Sequence, residues 1–183
     1  FLLICGALAL NFAAFFIYVL SAPVFLIEHL GVSVTGFLWL FGPAMGGLMA
    51  GAWLSGRLAE RISATRSIGL GYLTMALAAA ANVALNVFAP PVLPWSVIPI
   101  FGFTFGMSFA MPSLTLVALD LFPEQRGLAA SCQTFLQSGC NAVAAGVIAP
   151  ALWGSTTTLA LGMGGLLLLG AFAVMMHQLR SNV

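Results

Sequence analysis

Polar and apolar positions in this chain follow neither the two-residue period of a strand nor the single stripe of a surface helix. They come in blocks. Six apolar segments, at approximately 1–22, 34–56, 67–88, 96–119, 127–149 and 157–177, are separated by short breaks rich in Pro, Gly, Ser or charged residues. Each segment is near the ~20 residues that a helix needs to cross a hydrocarbon core of ~30 Å. A membrane barrel would need short segments of alternating character, and none is visible. The pattern predicts an all-α polytopic membrane protein, with residues 1–183 forming a single bundle of six transmembrane helices.

Composition removes the main competing class. With 62% hydrophobic and 5% charged residues, the chain cannot cover a soluble domain, whose residues are roughly one quarter charged. Nucleic-acid binding is excluded as well, because no basic face exists outside one short turn. The few charges are placed rather than spread. Arg57, Arg61 and Arg66 lie in the break after the second segment, Arg126 in the break after the fourth, and Arg180 after the sixth. The alternate breaks, at residues 28–31, 89–94 and 153–156, hold no Lys or Arg. The positive-inside rule then makes the arginine side cytoplasmic, with both ends of this chain on it. Trp39, Trp53, Trp95 and Trp153 are candidate interfacial anchors, Trp95 and Trp153 the best placed.

The remaining chemistry is sparse. Cys5, Cys132 and Cys140 all fall within apolar segments and read as small buried hydrophobes. No CxxC or His-rich spacing suggests a metal, and His29 and His177 sit at segment ends as wet interfacial residues. No nucleophile–base pair or phosphate-cradling Gly loop occurs, so neither an enzyme nor a cofactor is expected. The chain opens inside an apolar run of about 20 residues, too long for a signal peptide, and its start reads as a truncation.

The break after the second segment reads Gly56-Arg57-Leu58-Ala59-Glu60-Arg61-Ile62-Ser63-Ala64-Thr65-Arg66. It resembles the loop signature of the major facilitator superfamily of transporters, Gly-x-Leu-Ala-Asp-Arg-x-Gly-Arg-Arg/Lys. Glu60 stands where Asp is usual, Ser63 replaces the second Gly, and only Arg66 survives of the terminal basic pair. The resemblance implies one six-helix half of a twelve-helix transporter, built as a three-plus-three inverted repeat. Pro23 and Pro112 agree with such a repeat, since they fall late in the first and fourth segments.

Within that superfamily, residues 15–26, Leu30-Gly31-Val32-Ser33 and Phe41-Gly42 resemble helices seven and eight of the bicyclomycin-resistance (Bcr/CflA-like) drug:proton antiporters. Met111-Pro112-Ser113, Asp120-Leu121-Phe122-Pro123, Gly127-Leu128-Ala129-Ala130-Ser131 and Gln137 are similar to their helix ten, cytoplasmic turn and helix eleven. The first segment lacks an acidic residue and the fourth lacks an embedded arginine, which favours the carboxyl-terminal half. Gly42-Pro43-Ala44-Met45-Gly46-Gly47 matches an antiporter signature of the amino-terminal half, but on the wrong helix. It is read as a tightly packed segment. The resemblance implies secondary transport by alternating access in a bacterial inner membrane, with proton-coupled efflux of small amphipathic drugs or metabolites as the first expectation. Uptake of a sugar, organic acid or other nutrient, or a non-transport membrane scaffold, stand as alternatives. The implied partners are a small-molecule substrate, membrane lipid and an amino-terminal six-helix half.

No charged residue occupies the middle of any segment, and such groups are the usual proton and ion sites. Polar residues at depth remain. Gln133, Gln137 and Asn141 repeat at i, i+4, i+8 and share a helix face. Asn11 lies midway along the first segment, with Phe15 and Tyr18 nearby, and Met107 and Met111 offer adaptable surface on the fourth. These eight are the substrate-cavity candidates, because aromatic and Met residues beside a few polar ones suit an apolar ligand. Asn82 and Asn86 read instead as interhelical hydrogen-bonding residues. Gly56, Leu58, Glu60, Arg61, Arg66, Asp120, Glu124 and Arg126 are candidates for a cytoplasmic gate.

Overall fold

The computed structural model describes residues 1–90 and 92–181, so Pro91 of the third break lies outside the described residues. Among the described residues there is no strand. In chain order come α1 (Leu2–Leu20), a π-helical segment (Val24–His29), a 3-10 turn (Val34–Phe37), α2 (Leu38–Leu58), α3 (Ala64–Phe88) and α4 (Ile98–Asp120). A 3-10 turn (Pro123–Gln125) leads into α5 (Arg126–Val143), which continues through a π-helical segment (Ala144–Ile148) into α6 (Ala149–Leu152), and α7 (Thr156–Ser181) ends the fold.

Five helical runs are long and apolar enough to cross a membrane: Leu2–Leu20, Ala64–Phe88, Ile98–Asp120, Pro123–Leu152 and Thr156–Arg180. The 21-residue α2 is not among them. Five glycines, Pro43 and two tryptophans dilute its apolar content. The first apolar segment does not end where its composition does. Pro23 has no amide hydrogen to continue the ladder, and beyond it the chain widens into the π-helical segment. At the other loop Ser63, where the resembled signature has Gly, has a local role: it adopts the extended N-cap conformation and its Oγ accepts from Arg66 N–H at 3.4 Å. Ser is among the preferred N-cap residues.

The packing has an internal symmetry. α1 lies against α7, α5 and α4, while α4 lies against α3, α2 and α1, and α3 also meets α7. Exchanging the first three membrane segments for the last three maps this set of pairings onto itself. In an alternating bundle that exchange reverses helix direction, as an inverted repeat requires. The core follows: α1 is the most buried of the five runs and Pro123–Leu152 the least. One cluster gathers Phe15, Tyr18, Phe25, Met75, Phe103, Met107 and Met163, and a second gathers Ile4, Leu8, Ile68, Leu114 and Val174.

Glycine decides where backbones meet. A Cβ at Gly47 or Gly51 of α2 would run into the Phe101 and Phe105 carbonyls of α4, and one at Gly71 of α3 would lie 2.7 Å from Gly106 O. Close approach of this kind supplies the dispersion contact that holds membrane helices together. The tight packing expected of residues 42–47 does not extend to Gly42, which has nothing near it, and the same holds for Gly139 and Gly146 of the fifth segment. Their faces are open. Cys132 also differs from expectation, being exposed, while Cys5 is buried and Cys140 half-buried.

Side-chain contacts fix which ends of the helices coincide. Phe1 meets Phe122 edge-on at 5.2 Å, placing the start of α1 beside the end of α4. Trp153 bonds Ser21, and Thr157 bonds the Asn86 carbonyl, placing the ends of α1 and α3 beside the start of α7. All five arginines therefore lie at one end of the bundle. Single cysteines at Ala59 and Gly154, in a chain with its native cysteines replaced, should react from opposite sides of a sealed vesicle. Modification of both from one side by an impermeant maleimide would contradict this arrangement.

Candidate functional site

Among the cavity candidates, the polar stripe on α5 is less covered than the α1 group. Gln133, Gln137 and Asn141 are half-buried, on the side of α5 that also carries the buried Ala129 and Ala144. The amide oxygens Gln133 Oε1 and Asn141 Oδ1 are shielded and accept no hydrogen bond in this bundle. A shielded amide oxygen without a donor costs ~1–3 kcal/mol, so the stripe is suited to a group that brings donors. Met111 of α4 is half-buried, packed against both hydrophobic clusters.

The α1 candidates lie deeper. Asn11, Phe15, Tyr18 and Met107 are all buried inside the bundle. Two of them face α3 in a reciprocal arrangement. Asn11 Nδ2 donates to Tyr72 Oη at 2.6 Å, and Asn82 Nδ2 donates to Tyr18 Oη at 2.6 Å. An asparagine on each helix thus meets a tyrosine on the other, bridging two helices whose backbones are separated by side-chain length. Asn86 Nδ2 folds back onto the Asn82 carbonyl at 2.8 Å and its Oδ1 at 3.0 Å. Asn82 is the interhelical hydrogen-bonding residue expected of it, whereas the Asn86 side chain bonds within α3 and only its carbonyl is bonded from α7. Tyr72 was not singled out in the sequence, although a tyrosine in a segment of Ala, Leu and Gly was the available signal. Asn11 Oδ1 has no donor and lies against Gly170, where an added Cβ would sit 2.6 Å from it.

The gate candidates divide into a loop and a turn. In the α2–α3 loop, Gly56, Glu60, Arg61 and Arg66 are exposed and Leu58 is half-buried. Arg57, one turn beyond Trp53, stacks its guanidinium 4.2 Å from the indole centre. Among the described residues one ion pair occurs, Arg126 Nη2 to Asp120 Oδ1 at 2.6 Å. It joins the end of α4 to the start of α5. Each charge alone opposes its own helix dipole, and the pair cancels that penalty. With both side chains more than half exposed (57% and 60%), the contact contributes ~0–1 kcal/mol. Glu124 lies exposed in the intervening 3-10 turn.

The model of the Major Facilitator Superfamily matches residues 1–145 of this chain. No curated protein and no solved structure matches it. The chain belongs to the major facilitator superfamily, and with its long apolar helices it is an integral membrane protein of a transporter family.

Proposed function

We propose that this chain forms one half of a secondary active transporter, related to the Bcr/CflA-like drug:proton antiporters, that exports small amphipathic compounds against proton entry. The observation that carries the reading is the α5 stripe: two shielded amide oxygens without donors, on a helix otherwise left largely uncovered. A second six-helix half, placed over the open faces of α2 and α5, would complete a central cavity at whose edge that stripe lies. The arginine end is cytoplasmic in this reading, by the positive-inside rule. The carboxyl-terminal position and the drug:proton class are supported by the residue resemblances at 15–26, 111–113 and 120–131. Proton carriers belong to the other half, since the described spans hold no carboxylate at depth. Asp120, Arg126 and Glu124, with Glu60 and Arg61, act at the cytoplasmic gate.

In this arrangement Gln137 contacts substrate directly, while Asn82 acts only in packing. In the full-length transporter, Gln137→Leu should change the resistance profile towards a panel of cationic and neutral drugs by about ten-fold for at least one member, a value typical of one lost hydrogen bond in a dry site. Membrane abundance should stay the same. An unchanged profile for every compound would remove the stripe from the site.

A further inference from the structure

The arginine-free end carries hydrogen bonds that flank Pro23 on both sides along the chain, while Pro23 itself is exposed. Before the proline, Tyr18 accepts from Asn82, which Asn86 in turn bonds. Thr157 Oγ1 donates to the Asn86 carbonyl at 3.0 Å, tying α3 to the first turn of α7. Beside the proline, Trp153 Nε1 donates to the buried Ser21 Oγ at 3.0 Å. After it, His29 Nε2 donates to the Trp153 carbonyl at 3.0 Å. Trp153 is thus held by both ends of the segment that follows α1. Its own turn is stiff: Thr158 Oγ1 donates to the Leu152 carbonyl at 2.7 Å, and Ser155 Oγ accepts from Thr158 N–H at 3.1 Å.

Between those anchors the backbone is irregular. Val24–His29 is π-helical, a form found mostly as single-turn insertions at functional positions. Gly31 closes it at φ +62. Phe25 and Leu26 are fully buried while Ile27 and Glu28 are exposed, so the segment is seated but not enclosed.

We propose that Trp153 is a latch that seats the segment Val24–His29, and that releasing it lets this segment swing about Ser21–Pro23 while α1 below stays fixed by its two Asn–Tyr bonds to α3. The moving part is one short turn, and the latch governs access at the arginine-free end of the bundle.

The test uses the full-length protein in its own membrane, with Cys5, Cys132 and Cys140 replaced. A reporter cysteine at Leu26, buried when the segment is seated, is modified by a maleimide only when the segment lifts. Trp153→Phe keeps the ring and deletes the indole donor. Ser21→Ala deletes the same bond from the other side without altering the turn. Each should raise the modification rate about three- to ten-fold, the range for one net hydrogen bond. The two together should exceed Trp153→Phe alone by little, because they remove one shared bond. A second reporter at Leu8, deep on α1, should react at the parent rate in every variant. Unchanged rates at Leu26, or a parallel rise at Leu8, would overturn the proposal, the second by showing loosening of the whole bundle.

Discussion

A valine at Gly51 should part α2 from α4 and leave little folded protein in the membrane. Its Cβ would fall on the Phe105 carbonyl, with the Phe105 backbone immediately behind it. A backbone carbonyl cannot rotate away as the end of a side chain can, so one of the two helices must move. Overpacking costs ~1–3 kcal/mol when side chains yield, and more is expected here because they do not. Ser108 Oγ donates to the Leu48 carbonyl at 2.8 Å across the same contact, and that bond would be lost with it. The measurement is the amount of membrane-inserted protein and its unfolding midpoint in detergent. Gly42→Ala is the control, since nothing lies near that position. Equal midpoints for Gly51→Val and Gly42→Ala would show that α2 does not depend on this approach.

The second large effect concerns transport itself. Residues 1–183 reconstituted alone should show no substrate flux, because the proposed cavity needs a second wall opposite the α5 stripe. The exposed Phe135 and Val143 on α5 and Val147 in the segment that continues it, with Met45, Met49 and Trp53 on α2, are the apolar surface that such a wall would cover. Co-expression with the cognate amino-terminal half should restore flux, read as uptake of a fluorescent drug into inverted vesicles. Robust flux from the monomeric chain by itself would refute the half-transporter reading.

The sequence disclosed the architecture more readily than the site. Block hydrophobicity announces helices directly, because each must present apolar atoms to lipid over a fixed length. The arginines announce topology for the same reason: they are excluded from the interior and collect at one end. The loop Gly56–Arg66 carried the family, and the structure explains one of its departures through the Ser63 cap. Orientation around each helix was harder to read. In an apolar segment the inward and outward faces differ little in composition, so Asn11, Phe15 and Tyr18 could be placed on one face of α1 without showing that this face points into the bundle. Gln137 and its neighbours were legible because polar groups at i, i+4, i+8 stand out against an apolar helix. The bonds of Trp153 to Ser21 and His29 join residues more than a hundred positions apart, a separation at which no local pattern carries information.

The exchanged packing of the two helix trios bears on how the chain is made. The principal partners of α1 are α7, α5 and α4, all of which leave the ribosome after it, and α2 and α3 find their main partner in α4. The first three helices therefore enter the bilayer with few contacts among themselves. Asn11 and Tyr18 can pair with α3 early, but the α1 surface that Gly170 will later meet remains open to lipid. Neither trio is a foldable unit in advance of the other. In the finished bundle α4 is the helix on which α1, α2 and α3 converge, and α7 supplies the largest cover of α1.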